Sequence, residues 1–188
     1  MAAYKFRVLL DTEKESEIFR DIVIDENDNF ENFYHAIISS FRFQGDQMAS
    51  FYISNDNWDK GHEISLMDMN YGDEAIDEIA SVMSSAIIRN FIEADDQKII
   101  LVYDFMRMWI FLIELVEKTD AVVTTPQVAL AIGMAPPEDS RATGVDDEEE
   151  TFNHEEELLY DEEEEDDLGF DDYEDGYDDT YGNYNDYD

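Results

Sequence analysis

Two segments near the start of the chain have the alternating pattern of β-strands. Residues 4–10 (YKFRVLL) and 18–24 (IFRDIVI) are rich in aromatic and β-branched side chains and have the length of ordinary strands. In the first segment Tyr4, Phe6 and Val8 fall on one face, while Lys5 and Arg7 fall on the other. The connection between the two segments is short and polar, so the pattern predicts two neighbouring strands, as in a hairpin.

The pattern changes to a helical period in residues 28–41 (DNFENFYHAIISSF). Apolar residues recur there at steps of three and four, which predicts a helix with one buried face. These residues are Phe30, Phe33, Tyr34, Ile37, Ile38 and Phe41. Asp28 lies three residues before Glu31, so we predict Asp28 as the N-cap, in an Asp version of the capping box.

The remaining apolar residues predict more strands and one further helical region. Residues 49–54 (ASFYIS) and 62–66 (HEISL) are predicted strands, and residues 73–94 are predicted to form one or two short helices. Residues 98–105 (KIILVYDF) and 107–118 (RMWIFLIELVEK) have the densest apolar content, which favours a central strand pair buried on one or both faces. This order of elements predicts an α+β domain with helices packed on a mostly antiparallel sheet.

Composition marks the end of the predicted domain. The segment 125–139 closes the folded part, since its two consecutive prolines end regular structure. The chain beyond it consists largely of Asp, Glu, Tyr and Gly, which cannot bury enough apolar area to offset the entropy of ordering the backbone. The sequence therefore predicts a folded domain over residues 1–140 and a disordered acidic tail over residues 141–188.

The chain is strongly acidic, with 50 Asp and Glu against 11 Lys and Arg and a net charge of −39. Residues 146–188 hold 23 of the acidic residues and no Lys or Arg, and the part before position 146 still has a net charge of −16. A field of this sign repels DNA, RNA and anionic lipid surfaces and attracts cations and basic proteins. We therefore expect basic proteins as partners and no direct binding of nucleic acid.

Cysteine is absent, which excludes disulfides, thiolate nucleophiles and cysteine-ligated metal sites, and which fits a reducing cytoplasm. The N-terminal stretch lacks the long apolar run that a secretory signal contains. The most apolar stretch of the chain, residues 98–118, is interrupted by Asp104, Arg107 and Glu114, which are costly in a membrane span. We predict a cytoplasmic protein that does not cross a membrane.

The sequence contains no recognisable catalytic, metal or cofactor motif. The histidines His35, His62 and His154 are far apart and form no H-x-x-x-H or H-E-x-x-H pair. The acidic loops 55–66 and 171–182 lack the closing glutamate of an EF-hand, and the glycines form no phosphate-binding loop. We therefore predict no catalytic residues, no cofactor and no metal, and we favour a non-enzymatic binding or adaptor protein over an enzyme.

Three motifs occur in a characteristic order and spacing: FRDIVIDENDNFENFYHAIISSFRF, YDFMRMW followed by IFLIEL, and MAPPED. Together they resemble the plasmid ORF-three-like family, which is named from the root-inducing plasmid pRiA and often described as transposon passenger proteins of TnpR type. The resemblance covers about residues 4–140 and implies a compact α+β domain, but little about activity. Recombination chemistry is not expected, because no arginine-rich DNA-binding segment accompanies a candidate serine.

The chain departs from the family pattern at three places that carry polar groups. The family stretch Y-D-F-G-D-x-W reads YDFMRMW at residues 103–109, which removes the glycine and the second acid. A histidine-bearing motif before the third strand reads QMASF at residues 47–51, and the Cys-Gly-Gly after P-P-E-D reads SRA at residues 140–142. A polar site that these groups formed in relatives would therefore be altered here.

One candidate pocket is implied by the resemblance. Its residues are Tyr103, Asp104, Arg107, Trp109, Glu138 and Asp139. From the residues alone, Tyr103, Phe105 and Trp109 are expected to pack in the core or on a sheet face. Asp104 and Arg107 are expected either to form an ion pair or to face solvent on the two sides of a turn. An enzyme or a small-ligand-binding domain with a degenerate pocket at this place is the alternative to an adaptor.

The acidic tail is the second candidate site. Its candidate partner-binding residues are Glu162, Glu163, Glu164, Glu165, Phe170, Tyr173 and Tyr177. Aromatic rings can stack on arginine side chains while neighbouring carboxylates pair with them. The tail is therefore expected either to be a solubility device or to engage basic proteins by partly imitating a polyanion.

Overall fold

The computed structural model of the chain describes residues 2–12, 17–68 and 81–143. This part of the chain contains eight β-strands, one α-helix and two short 3-10 helices. The strands are β1 (Ala3–Leu10), β2 (Phe19–Asp25), β3 (Ala49–Ser54), β4 (Lys60–Ser65), β5 (Ser81–Val82), β6 (Lys98–Tyr103), β7 (Trp109–Thr119) and β8 (Gln127–Ile132). The α-helix α1 comprises Phe30–Phe41, and the 3-10 helices comprise Ile88–Phe91 and Glu138–Ser140.

The strands form a single sheet in the order β5-β4-β3-β6-β7-β1-β2-β8. Neighbouring strands are antiparallel except β4 and β5, which are parallel. β1 and β2 form the predicted pair, and β6 and β7 lie near the centre of the sheet, as their dense apolar content predicted. The prediction of a mostly antiparallel sheet is confirmed. The described residues contain a single α-helix, so the domain is dominated by its sheet to a greater degree than was predicted.

The helix α1 packs its apolar stripe onto one face of this sheet, and all six residues predicted for that stripe are buried. The Phe33 ring stacks parallel to that of Phe51 on β3, with centroids 5.8 Å apart, and lies 4.9 Å from that of Phe6 on β1. The Phe41 ring contacts Phe111 on β7 edge-to-face at 5.1 Å. Burial of such aromatic side chains is the main stabilising contribution in a core of this kind. The predicted packing of this helix on the sheet is confirmed.

The N-cap of α1 is Asn29, and the prediction of Asp28 was wrong. The Asn29 side chain accepts a hydrogen bond from the Asn32 backbone N–H at 2.9 Å. Asp28 instead accepts from the Asn29 backbone N–H at 2.8 Å and from the Asn32 side-chain amide at 2.6 Å. Asp and Asn are both favourable N-cap residues, and the N-cap position requires an extended backbone. Asn29 has that backbone, with φ −100° and ψ 164°, and therefore takes the position.

Of the one or two short helices predicted over residues 73–94, the described part of that segment contains one four-residue 3-10 helix. Residues 81–82 form β5, residues 88–91 form a 3-10 helix, and residues 73–80 lie outside the described residues. Hydrogen bonds to the loop before α1 hold the segment: Ile88 N–H donates to Asp28 O at 2.9 Å, and Arg89 N–H donates to Glu26 O at 3.0 Å. These long-range bonds fix an irregular backbone where the local apolar spacing favoured a helix.

The strand β8 lies in a segment for which the sequence predicted only the end of the folded part. It pairs antiparallel with β2, from Phe19–Ile132 to Val23–Gln127, and so adds an edge strand to the sheet. The buried Arg20 fastens β8, because its Nη1 donates to Ile132 O at 2.7 Å while its guanidinium lies 4.6 Å from the centre of the Phe41 ring.

The predicted domain boundary at residue 140 stays a prediction, and the residues of the acidic tail from 144 onward lie outside the described residues. No helix among the described residues is long and apolar enough to cross a membrane.

Candidate functional site

Three loops meet at one end of the sheet, next to α1. They are the turn between β6 and β7, the segment after α1, and the 3-10 helix Glu138–Ser140 with the residues around it. Five of the six predicted pocket residues meet here. Hydrogen bonds join Tyr103 and Trp109 to Glu138, and Arg107 to Asp104. Asp104 directly follows Tyr103 in the chain, which connects the two groups. Asp139 is exposed and joins none of these bonds.

Glu138 connects the three loops. The Tyr103 hydroxyl donates to Glu138 Oε1 at 2.6 Å, and the Gln44 backbone N–H donates to Glu138 Oε2 at 2.6 Å. Trp109 Nε1–H donates to the Glu138 backbone carbonyl at 3.0 Å. Both carboxylate oxygens and the main chain of Glu138 are therefore bonded to the domain, which fastens the residues that follow the two prolines.

The Tyr103 hydroxyl also accepts a hydrogen bond from the Gly45 backbone N–H at 3.0 Å. Gly45 has φ +76°, and a Cβ there would lie 3.2 Å from a methyl group of Ile38, so both the backbone and the space favour glycine. Burial, followed by the hydrogen bond to Glu138, raises the pKa of Tyr103 well above its usual value. Burial, followed by the charges of Glu138 and Asp46, raises the pKa of Tyr34 to about 12. Both phenols are protonated at neutral pH.

Asp104 and Arg107 form the ion pair that was one of the two expected arrangements. Arg107 Nη1 donates to Asp104 Oδ2 at 3.2 Å, and Asp104 is only 2% exposed. Asp104 Oδ1 accepts from the backbone N–H groups of Met106 and Arg107 at 3.0 and 3.2 Å. The turn has positive φ at Asp104 and Met108. Met106, which stands where the family pattern has glycine, does not have positive φ, so the turn does not require glycine at that place.

Phe105 and Trp109 differ in their surroundings, although both were expected to pack in the core or on the sheet. Trp109 is 1% exposed and Tyr103 is fully buried, as predicted, whereas Phe105 is 41% exposed at the tip of the turn. The buried strand β6 ends at Tyr103, before Phe105, so the prediction for Phe105 was wrong.

Arg141 was not among the predicted pocket residues, although it completes the arrangement. Its guanidinium lies 4.3 Å from the centre of the Trp109 ring, in cation–π geometry. It donates to the backbone carbonyls of Met108 and Asp11. The only feature of the sequence that could have pointed to Arg141 as a site residue is that a basic residue follows closely after the P-P-E-D motif in a strongly acidic chain. Its partners lie up to 130 positions away, so local pattern could not identify its role.

A cleft of about 990 Å³ opens beside this arrangement. Its apolar walls include Ile18, Met108, Trp109 and Met134, and its charged lining residues are Asp11, Arg107 and Arg141. Of the predicted pocket residues, Trp109 and Arg107 line the cleft, while Tyr103, Asp104 and Glu138 are not among its lining residues and hold the loops that do.

The cleft does not share the strong negative charge of the whole chain, which is −39. Its lining side chains carry two positive charges and one negative charge, and the positive charge of Arg107 is neutralised by its ion pair with the buried Asp104. Both hydrogen bonds of Arg141 go to neutral carbonyl oxygens, so they do not cancel its charge. Arg107 Nε is buried and has no hydrogen-bond partner among the described residues. The cleft therefore combines apolar contact area with one guanidinium, that of Arg141, whose hydrogen bonds among the described residues go to carbonyl oxygens.

Within the described residues, no group of three or more His, Asp or Glu side chains is placed to hold a metal ion. His62 lies on β4 beside Ser81 and stacks on Phe91, and neither it nor the exposed His35 lines the cleft. The candidate residues of the acidic tail lie outside the described residues.

Comparisons with known proteins agree with the fold and give no activity. The family model of the plasmid pRiA4b ORF-3-like protein matches residues 2–183, which extends beyond the motifs at residues 4–140. A crystal structure of a protein of unknown function, MM3350 from Methanosarcina mazei Go1, is similar with a TM-score of 0.62 at 20% sequence identity. That match covers 79% of this chain and 78% of the other chain. No curated protein matches the chain.

Proposed function

Within the plasmid pRiA4b ORF-3-like family, to which the chain belongs, we propose that this protein is a non-enzymatic binding module. Its cleft takes an anionic ligand that also carries an apolar group. The observation that carries this proposal is Arg141, which is bonded only to carbonyl oxygens and lies among apolar walls in a cleft of about 990 Å³ that the ion-paired Arg107 also lines. Ligand sites in proteins are typically concave, mostly apolar and of up to about 1,000 Å³, with a few polar groups that orient the ligand.

The chemistry of the ligand follows from the groups that face it. An arginine stacked on Trp109 offers its remaining N–H groups to carboxylate, sulfonate or phosphate oxygens. The thioethers of Met108 and Met134 are adaptable apolar contacts. A ligand with both an anionic and an apolar part would use both kinds of contact.

The ionisable groups of Tyr103, Asp104 and Glu138 are held in hydrogen bonds and an ion pair within the domain, which supports binding rather than catalysis. General acid–base catalysis needs a group whose pKa lies near the working pH and which reaches the reacting atoms. The phenol of Tyr103 has a raised pKa and bonds to Glu138, and each oxygen of the Glu138 carboxylate accepts a hydrogen bond from the domain. Asp104 is buried against Arg107. These groups hold the loops in place.

The proposal is tested with the anionic, aromatic probe 8-anilinonaphthalene-1-sulfonate, titrated by fluorescence against the full chain. Met134 lines the cleft and is 85% exposed, so Met134→Asp adds a negative charge at the cleft with little effect on folding. Repulsion over a distance of about 6–8 Å in a partly hydrated site is roughly 1 kcal/mol. We expect the probe to bind about three- to tenfold more weakly to this variant.

The matched control is Met67→Asp, because Met67 is also exposed, at 59%, and does not line the cleft. It makes the same change in net charge elsewhere on the protein and should leave probe binding unchanged. Equal weakening in both variants would mean that the probe responds to total charge. Unchanged binding in Met134→Asp would overturn the assignment of the cleft.

We propose a second activity for the acidic segment, which is binding of basic proteins. It is supported by the 23 acidic residues and the absence of Lys and Arg in residues 146–188, together with the aromatic residues Phe170, Tyr173 and Tyr177 among them. Carboxylates and aromatic rings both interact with arginine side chains. Because it concerns a different part of the chain, this activity is tested separately from the cleft.

A further inference from the structure

The segment from residue 121 to residue 137 is the one long stretch of this chain's described part that combines exposure with absence of charge. It contains no Asp, Glu, Lys or Arg, although charged residues are 32% of the chain. Ten large hydrophobic residues are exposed in the described part, and five of them lie in this segment: Val122, Val128, Leu130, Ile132 and Met134. An exposed apolar surface of this kind in an otherwise highly charged protein marks an interaction site.

Strand β8 is the centre of this segment and forms one edge of the sheet. All six of its residues are exposed, and β2 is its only strand partner among the described residues. Alternate residues of an edge strand direct their N–H and C=O groups away from the sheet, where another strand can pair with them. Proteins commonly protect such edges with charged side chains or proline within the strand. β8 (QVALAI) has neither, and its one irregularity is a β-bulge at Ala129, where the register with β2 shifts between Asp21 and Ile22.

The position of β8 is fixed firmly enough for it to serve as a template. Three carbonyl groups accept hydrogen bonds from the buried Arg20 side chain, and one of them belongs to Ile132 at the end of β8. Pro126 precedes the strand, and Gly133, with φ +74°, ends it. The edge available for pairing is therefore a stretch of six residues held at its Ile132 end by Arg20, with one β-bulge at Ala129.

We propose that this edge is the contact between two copies of the chain, whose β8 strands pair antiparallel about a twofold axis. The two sheets then continue into one another across the axis. A twofold axis brings each residue close to its own counterpart or to near neighbours of that residue in the other copy. On most of this surface such a contact would oppose carboxylates, whereas β8 opposes only Gln, Val, Ala, Leu and Ile.

The same charge pattern selects a second copy over a basic partner. A lysine- or arginine-rich segment gains from the acidic surface of the chain, but it finds no carboxylate along β8 with which to pair. An uncharged strand needs no carboxylate partner along β8, and by pairing with β8 it buries Leu130 and Ile132. β8 of a second copy has this composition.

The size of the contact sets its strength. A contact centred on one six-residue strand pair belongs with the interfaces below about 1,200 Å² of buried area, which give weak, reversible association. Net negative charge on both copies opposes their approach, and salt screens this repulsion. The dimer should therefore form at high protein concentration and become stronger as salt is added. Binding through exposed opposite charges has the opposite salt dependence.

The test is sedimentation velocity of the full chain over a wide range of protein concentration, at low and high salt. We expect a concentration-dependent shift from monomer to dimer that is larger at high salt. In Leu130→Lys the twofold axis brings two added lysines close together, and the shift should be lost. Val116→Lys is the matched control, because Val116 is also 42% exposed but lies on β7, and it should dimerise like the unaltered chain.

Hydrogen exchange of the unaltered chain locates the contact. The amides of residues 127–132 should exchange more slowly at high than at low protein concentration. A chain that stays monomeric under all conditions would overturn the proposal. So would a dimer that persists in Leu130→Lys, or one that Val116→Lys abolishes equally, because the contact would then lie elsewhere.

Discussion

The hydroxyl group of Tyr103 is expected to stabilise the whole candidate site, and its removal in Tyr103→Phe tests this directly. The substitution keeps the buried ring and deletes two hydrogen bonds, to Glu138 Oε1 at 2.6 Å and from Gly45 N–H at 3.0 Å. Glu138 is the residue that joins the segment after the prolines to the sheet and to the end of α1. The loss should therefore both destabilise the protein and loosen that segment.

The magnitude follows from the two bonds. A hydrogen bond to a charged group contributes about 1.5–3 kcal/mol and a neutral one about 0.5–1.5 kcal/mol. Glu138 and Gly45 are partly exposed, so water can replace part of what is lost, which favours the lower ends of these ranges. We expect the free energy of unfolding to fall by about 2 kcal/mol, which corresponds to roughly 4–8 °C in Tm for a chain of this size.

The matched control is Tyr52→Phe. The Tyr52 hydroxyl also donates to a carboxylate, Glu63 Oε1 at 3.0 Å, but this pair is exposed on β3 and β4. Its loss should cost less than about 0.5 kcal/mol. Urea unfolding followed by fluorescence measures both variants, and hydrogen exchange of residues 133–143 reports the local loosening. Equal destabilisation by the two variants, or unchanged exchange in Tyr103→Phe, would refute the assigned role of Tyr103.

Three further predictions concern pH, the edge strand and the acidic segment. The pKa of Tyr34 is about 12 in the folded protein against about 10 in an unfolded chain, so the folded state binds this proton more tightly. The contribution of this group to the free energy of unfolding is constant below pH 10 and should fall as the pH rises from 10 towards 12. The measurement is tyrosinate absorbance, which should appear together with unfolding. Arg20→Ala leaves three carbonyls without their donor and should speed hydrogen exchange in β8, whereas Arg89→Ala, at an exposed site, should not. Pull-downs from lysate should recover basic proteins with the full chain but not after truncation at Gly144, and less at high salt; identical partners for both would leave the acidic segment as a solubility device.

The sequence alone was sufficient to predict those helices and strands whose buried face is evident from the spacing of apolar residues within the element itself. The helical stripe from Phe30 to Phe41 and the apolar runs of β6 and β7 were correctly predicted, because the period of apolar residues reflects the face that each element buries. The absence of cysteine and the excess of Asp and Glu likewise follow from composition without any structure.

The tertiary structure alone decided the features that depend on which segments meet. β8 shows no polar alternation, and it is a strand because β2 presents an edge to it and Arg20 holds its end. Residues 81–94 are held by bonds to the loop before α1, against their local helical spacing.

The candidate site belongs to the same class of features. Glu138 reaches Tyr103 across 35 positions of the chain, and Arg141 reaches Asp11 across 130. Local periodicity carries no information about hydrogen bonds between positions so far apart, because it records how one element packs and not which loops the topology brings together at the end of the sheet.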